Sequence, residues 1–321
     1  MSSKLRIDTE RLIGRIEKLG NIGSIEGGGV CRLALSDEDR KGRDLVVDWM
    51  KKLNLDITID QIGNVIALRK GEENVKPVMT GSHIDTVATG GIFDGNLGVL
   101  AGLEVIETLN DAGVVTRKPI GVGFFTNEEG SRFAPDMMGS GVHQGALDLN
   151  SMLKVKDMGG KSVGEELEKI GYVGKTPTNI FRADSFIELH IEQGPILEKE
   201  GVPIGVVMGA QGQRTFQVTV TGEEGHAGTL PMTLRKDAFL GAARMADALN
   251  SIAFQYDPNP VITVGHVRVR PNSRNTIAGQ TVFTIDSRHP EAAKLQAIKT
   301  DMIAACQDIA TNMSLELEII G

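Results

Sequence analysis

A histidine and two aspartates stand close together in the glycine-rich stretch GSHIDTVATGGIFDGNLGVLAG, residues 81–102: His83, Asp85 and Asp94. Further along, the apolar run GVGFF leads into Glu128 and Glu129, and ELHIEQG carries His190. Imidazole and carboxylate are the donors that suit zinc, and carboxylates also suit manganese. Each group has an ordinary explanation when taken alone. A lone histidine at a strand end is usually a half-exposed polar residue, and adjacent glutamates usually belong to a solvated loop. Here all four tips follow segments that read as strands, and active sites of open α/β sheets collect at the carboxyl ends of strands. One metal cluster accounts for the four together. Asp85, two residues past His83, is placed to orient the imidazole as a supporting partner. The glycines let the backbone turn sharply after the strand and bring Asp94 back beside His83.

The elements that must position these groups are legible as patterns. KPVMTGSH reads as a strand ending at His83, and LGVLAGLEVIETLNDAG as a mostly apolar helix. IGVGFF is continuously apolar, as a buried parallel strand would be, and SFIELHIEQG reads as another strand with a charged end. Upstream, SDEDRKGRDLVVDWMKKLN opens with Ser36 as N-cap, acids in the first turn and bases near the end. DITID and NVIALRK are short strands about a turn. Strands alternating with helices predict an α/β domain, a mixed sheet with helices on both faces.

The remainder follows a second plan. RTFQVTVTG alternates, with Phe216, Val218 and Val220 on one face. LRKDAFLGAARMADALNSI predicts a helix with Phe239, Ala242, Ala243, Ala246 and Leu249 on its apolar stripe. Two strands, VITVGHVRV and QTVFTIDSR, come next, then a helix with Leu295, Ile298, Met302, Ala305 and Ile309 on one side, then the strand SLELEII. The order β-α-β-β-α-β is the ferredoxin-like pattern. The boundary is placed at Gly209–Gln213, after an apolar run read as a strand, giving domains 1–211 and 212–321.

Bulk properties exclude several classes. A chain of 321 residues with 40% hydrophobic content is ample for a core and suggests two domains. Its net charge of −8 argues against nucleic acid as a partner, since phosphate binding needs a basic face. No window approaches the ~18 apolar residues of a membrane span. The charged, helix-patterned start MSSKLRIDTERLIGRIEKLG lacks a signal-peptide core, and the two distant cysteines, Cys31 and Cys306, make no disulfide framework. The cytoplasm is the expected compartment.

Taken in order, GSHIDTVATGGIFDGNLGVLAG, FTNEEGSRF, ELHIEQGPILE, GEEGHAGTLPM, NTIAG and DSR resemble the amidase/hydantoinase branch of the M20 metallopeptidase family. That branch includes N-carbamoyl-L-amino-acid hydrolases, β-ureidopropionases and allantoate amidohydrolases. The resemblance implies a centre of two divalent ions, Zn2+ or Mn2+, Co2+ or Ni2+, held by His83, Asp94, Glu129 and His190, with Asp94 bridging. It implies that Glu128 is the general base toward the attacking water and that His226 polarises the scissile carbonyl. Gln193, Asn275 and Arg288 become substrate contacts, Arg288 holding a carboxylate by a bidentate pair. The second domain becomes a lid and dimerisation domain, and the protein a homodimer acting on a small ureido or carbamoyl compound. His143, His266 and His289 match no ligand motif and read as structural.

Two departures accompany the resemblance. Cys31 stands where relatives often have threonine. The family's catalytic domain also resumes after the lid and supplies another ligand histidine from a GAGHD-like segment, which this sequence does not contain. The expectation is therefore a shortened or partial chain. The preferred activity is hydrolysis of an N-carbamoyl-L-amino acid to the amino acid, CO2 and ammonia, with allantoate or ureidopropionate as rival substrates. A non-catalytic, dimerising relative is the rival from another class; a metallo-exopeptidase is disfavoured by His190, where many M20 peptidases carry glutamate.

Overall fold

The computed structural model describes residues 5–180, 182–256 and 261–321. The chain divides into two compact units, Met1–Lys199 and Glu200–Gly321. The first contains α1 (Thr9–Gly20), α2 (Asp37–Lys52), β1 (Asp56–Ile59), β2 (Val65–Arg69), β3 (Val78–Ser82), α3 (Asn96–Asp111), β4 (Ile120–Phe124), α4 (Met138–Gln144), α5 (Leu149–Leu153), α6 (Val163–Ile170) and β5 (Ser185–Ile187), with α7 (Ile196–Glu200) at the division. Its sheet has the order β1-β2-β4-β3-β5. The pairs β1/β2 and β2/β4 are antiparallel, while β3 runs parallel to both β4 and β5.

Local chemistry explains several of these elements. The Ser36 side chain accepts a hydrogen bond from the Asp39 N–H and so caps α2, whose first turn carries Asp37, Glu38 and Asp39. Helix α3 packs on β3 and β4 through Val99, Leu100, Leu103 and Ile106, all fully buried. Val65, Ala67, Val122 and Phe124 from the sheet join Ile16, Leu19, Val46 and Met50 from α1 and α2 in the same core. A Cβ on Gly98 would lie 2.8 Å from the Leu189 carbonyl and 2.9 Å from Ser82 Cβ. The absence of a side chain there lets the start of α3 ride directly over the end of β3.

The second unit contains β6 (Gly212–Thr221), β7 (Gly225–His226), α8 (Ala238–Ala253), β8 (Val261–Arg270), β9 (Thr276–Ile277), β10 (Gln280–His289), α9 (Ala292–Asn312) and β11 (Glu316–Ile320). Its main sheet is β11-β6-β10-β8, antiparallel throughout, which is the ferredoxin-like β-α-β-β-α-β arrangement with a β7–β9 ribbon added. Phe216 faces Ile285 and Val218 faces Phe283 across β6 and β10, over Met245, Leu249, Ile298 and Met302.

Three sequence expectations are corrected. On α8 the buried face is Ala238, Gly241, Ala242, Met245 and Leu249, while Phe239 is half exposed. The helix is turned because a Cβ on Gly241 would meet Leu315 Cδ1 at 2.4 Å; the gap in the side-chain surface admits Leu315. The apolar run at 202–208 is not a strand: Val206, Val207 and Met208 are exposed and no ladder partner takes their backbone groups. The division accordingly falls at 199/200 and this run goes with the second unit. The SFIELHIEQG strand is only the three residues of β5.

Candidate metal centre

Because β3 lies between β4 and β5 and runs parallel to both, three consecutive carboxyl ends lie side by side: Ser82 is level with Phe124, and Thr80 with Ile187. His83 is the residue after β3, Glu128 and Glu129 follow the turn after β4, and His190 follows β5. Asp94 arrives from the start of α3, immediately before Gly95. Residues far apart in sequence therefore meet at one crevice, as the geometry of parallel strands dictates.

The three groups His83, Asp94 and His190 place one ligand atom each within 4.8 Å of one another. The His83 ring turns its Nδ1 to the Asp85 carbonyl at 2.9 Å, and the His190 ring turns its Nδ1 to the Ile191 carbonyl at 2.8 Å. Each carbonyl fixes the Nδ1–H tautomer and leaves Nε2 with a free lone pair. Those lone pairs converge on one oxygen, Asp94 Oδ1, which stands 3.9 Å from His83 Nε2 and 3.2 Å from His190 Nε2. Asp94 Oδ1 is buried and has no hydrogen-bond partner. Two imidazole nitrogens and an orphaned carboxylate oxygen form a donor set that fits a divalent ion. Glu128 Oε2 lies 3.3 Å from His83 Nε2, at the rim of the same space.

The structure redistributes some of the expected roles. Asp85 supports His83 through its backbone carbonyl rather than its carboxylate, because a turn of two residues brings the carbonyl back under the ring. The Asp85 carboxylate instead accepts from the backbone N–H groups of Glu128 and Glu129, each at 3.3 Å, so it steadies the glutamate loop. Complete burial pushes its pKa up to about 6, against the charge of His83. The Glu129 carboxylate falls outside the three-residue group. Gln193 is brought into the site, where its Nε2 donates to Asp94 Oδ2 at 2.6 Å. Composition and spacing missed Ser82 and Glu188, whose side chains bond at 2.5 Å and join the strands that lead to the two histidines. The signal was present as a polar residue one or two positions before each histidine, Ser82 before His83 and Glu188 before His190.

His226, Asn275 and Arg288 belong to the second unit. Pairing of β7 with β9 sets His226 opposite Thr276, and the Ala227 N–H donates to the Asn275 carbonyl at 2.9 Å. His226 Nδ1 accepts from the Gly228 N–H at 3.0 Å, which leaves the proton on Nε2. Arg288 makes two bonds to Asp286, at 3.0 and 2.9 Å. Among the histidines read as structural, His289 is fully buried and its Nδ1 accepts from the Glu291 N–H.

Electrostatics give the site a pH dependence. Burial alone would lower the pKa of His83, but the carboxylates of Asp85, Glu128 and Glu129 outweigh it and hold the pKa above the ordinary imidazole value. Without an ion, His83 is therefore protonated to higher pH than a free imidazole, and an entering ion must expel that proton. Apparent affinity for a divalent ion is expected to fall as pH drops through this raised pKa, with proton uptake on ion release. Titration of ion-depleted protein with Co2+ between pH 8 and 6 measures it. A flat affinity across that range would remove His83 from the ligand set.

The model of peptidase family M20/M25/M40 matches residues 79–319. The chain is 40% identical over 319 residues to an N-carbamoyl-L-amino-acid amidohydrolase of Rhizobium meliloti, covering 98% of this chain and 77% of the relative. It is 34% identical to the allantoate amidohydrolase of Escherichia coli, covering 93% and 74% respectively. Among solved structures, a hydantoinase/carbamoylase-family amidase from Burkholderia multivorans superposes with a TM-score of 0.91 at 48% identity, over 98% of this chain and 77% of that one. With three ligand-type groups converging at the parallel strand ends and matches of this extent, the chain belongs to peptidase family M20/M25/M40.

Proposed function

We propose that this protein is a metal-dependent amidohydrolase that cleaves the linear C–N bond of an N-carbamoyl-L-amino acid, giving the amino acid, CO2 and ammonia. The observation that carries the metal chemistry is the pair of Nε2 lone pairs directed at the unpartnered Asp94 Oδ1. The substrate class is supported by the 40% identity, over nearly the whole chain, to a protein named for that activity. Allantoate is the second reading, favoured by the E. coli relative.

His83, Asp94, His190 and Glu129 would hold two divalent ions, Zn2+ or Mn2+, Co2+ or Ni2+. When bound, such ions supply Lewis acidity that lowers the pKa of water and shares the charge developing on the attacked carbonyl. Glu128 takes the proton from the attacking water on Oε2 and returns it to the leaving nitrogen. His226 presents its Nε2–H as a donor for the carbonyl oxygen, consistent with Nδ1 being occupied by Gly228. Gln193 and Asn275 are amide contacts for the substrate. Arg288 binds its carboxylate in place of Asp286.

Arg288→Ala is expected to weaken substrates with a free carboxylate by about 10–100-fold in kcat/KM, the worth of a charge-assisted pair. The corresponding amides, which cannot use the guanidinium, should be affected far less. Equal losses on acid and amide would make Arg288 structural.

The second unit is assigned as the lid and dimerisation domain. Its support is β8, an outer strand of the sheet on which Val261 and Val267 are about half exposed. Such an edge invites pairing with a second copy. No helix among the described residues is long and apolar enough to cross a membrane. We infer a homodimer, which light scattering tests, and a cytoplasmic location, which fractionation of the source cell tests.

The deciding experiment for the function is ammonia release from a panel of N-carbamoyl-L-amino acids, allantoate and 3-ureidopropionate, with and without added Mn2+, Zn2+ or Co2+. Metal-dependent turnover highest on a carbamoyl amino acid is the expected result. A preference for allantoate selects the second reading, and no turnover of any member with any ion overturns both.

A further inference from the structure

We propose that Arg32 is a positioning residue of the metal centre, its guanidinium fastening the loop that carries His83 to the loop that carries Asp94. This rests on the metal-centre reading above and extends it to a residue that touches neither ion nor substrate.

Arg32 is fully buried, which is unusual for a charged side chain. Its donors are spent on three separate segments. Nε donates to the Ile84 carbonyl at 2.7 Å, between His83 and Asp85. Nη2 donates to Asn96 Oδ1 at 3.0 Å. Nη1 donates to the carbonyls of Leu19 and Ile22, both at 2.8 Å, at the carboxyl end of α1. Its backbone repeats the attachment: the Arg32 N–H donates to Thr86 Oγ1 at 2.8 Å, and the Thr86 N–H donates to the Arg32 carbonyl at 2.9 Å.

Asn96 completes the connection. Its Nδ2 donates to the Ile92 carbonyl at 2.9 Å, and its backbone N–H to the Asp94 carbonyl at 2.6 Å. The path from the His83 loop to the Asp94 loop thus runs Ile84, Arg32, Asn96, and from there to both flanks of Asp94. The links from Ile84 to Arg32 and from Arg32 to Asn96 are buried, and the one from Asn96 to Ile92 is partly buried. The separation of His83 Nε2 and Asp94 Oδ1 is fixed from behind by one planar group.

The residue type follows from this task. Four acceptors on three segments, in fixed directions, match a guanidinium fork, whereas a lysine offers one rotating point charge. The charge is retained at neutral pH. Burial lowers the pKa to about 10, opposed by the carboxylates of Asp39 and Asp85. An apolar residue of the same volume would take the guanidinium donors away from the Ile84 and Ile22 carbonyls and from Asn96 Oδ1, so the acceptors, and not packing, give the reason for an arginine.

The test uses Arg32→Lys and Asn96→Ala in the protein after removal of bound ions. Co2+ titration gives the affinity, and the visible absorption of bound Co2+ reports ligand geometry. Circular dichroism melting is recorded alongside. Asn96→Ala leaves Arg32 attached to α1 and the His83 loop and cuts only the arm to Asp94. Each folded variant is expected to bind Co2+ about 10–100-fold more weakly, with an altered spectrum, as loss of a support behind metal ligands does elsewhere. Wild-type affinity and spectrum in either folded variant overturns the proposal, whatever happens to the melting temperature. If Arg32→Lys does not fold, Asn96→Ala decides alone. A wild-type protein that binds no divalent ion is a different result: it overturns the metal-centre reading itself, and this inference with it.

Discussion

Replacing Glu128 by glutamine is expected to leave ion and substrate binding in place and to cut kcat by about 10²–10⁴-fold, the range of a lost general base. That is about 3–5 kcal/mol of transition-state stabilisation. The substitution keeps the volume and one carbonyl oxygen and removes only the capacity to accept a proton. Its selectivity comes from position: Glu128 Oε2 stands 3.3 Å from His83 Nε2 yet lies outside the group whose free atoms converge. Burial raises the Glu128 pKa, with His83 drawing it the other way. A base must be ionised to act, so activity should fall as pH drops through that raised value, and Glu128→Gln should remove this acid limb along with the rate. Steady-state kinetics with an ion count on the purified variant separates the roles. Near-normal kcat moves the base elsewhere, and loss of ions makes Glu128 a ligand.

Gly95→Ala is expected to dismantle the site while barely touching the rest of the fold. The residue caps the start of α3 at φ +63°, ψ −46°, a combination closed to residues with a Cβ. The added carbon would also lie 2.5 Å from three atoms of the His83 ring. Strain of about 1–3 kcal/mol in the backbone adds to a clash that the ring must resolve by leaving its place. Ion affinity should fall by at least about 10–100-fold, with turnover falling in parallel. Gly91→Ala is the control, since nothing lies within 4 Å of a Cβ there and its φ is not in the left-handed region. If Gly95→Ala and Gly91→Ala bind ions alike in titration calorimetry, the His83 ring is not held where the structure has it.

Short-range patterns in the sequence translated faithfully. Ser36 with three acids after it became a capped helix, and alternation in RTFQVTVTG put Phe216, Val218 and Val220 inside. Both depend on residues within a turn or a strand of one another. Where the outcome depended on a distant partner, the pattern was insufficient. Helix α8 has apolar residues on several sides, and Leu315, far along the chain, chooses the buried face by entering the gap at Gly241. The convergence of His83, Asp94 and His190 was legible because strand ends of a parallel sheet share an edge whatever the sequence between them. The distinction between the Asp85 carbonyl and its carboxylate was not, since it depends on a turn of two residues and on N–H groups from another loop. Arg32 carried a usable signal: a single charge inside the apolar run VCRLAL implies buried acceptors.

Strand β5 is three residues long, pairs among the described residues with β3 alone, and leaves Phe186 and Ile187 exposed by 42% and 66%. By backbone bonds and apolar contact it is the most loosely fastened part of the sheet, the kind of element that opens by local fraying. Yet it delivers His190. An ion held by His190 and His83 would clasp this strand to the centre of the sheet and close a long stretch of chain at one point, so little closure entropy would remain to be met when β5 docks. Occupancy and the seating of β5 would then be one equilibrium. Depleting the ion would then do more than silence the chemistry: it would unbutton β5 from β3.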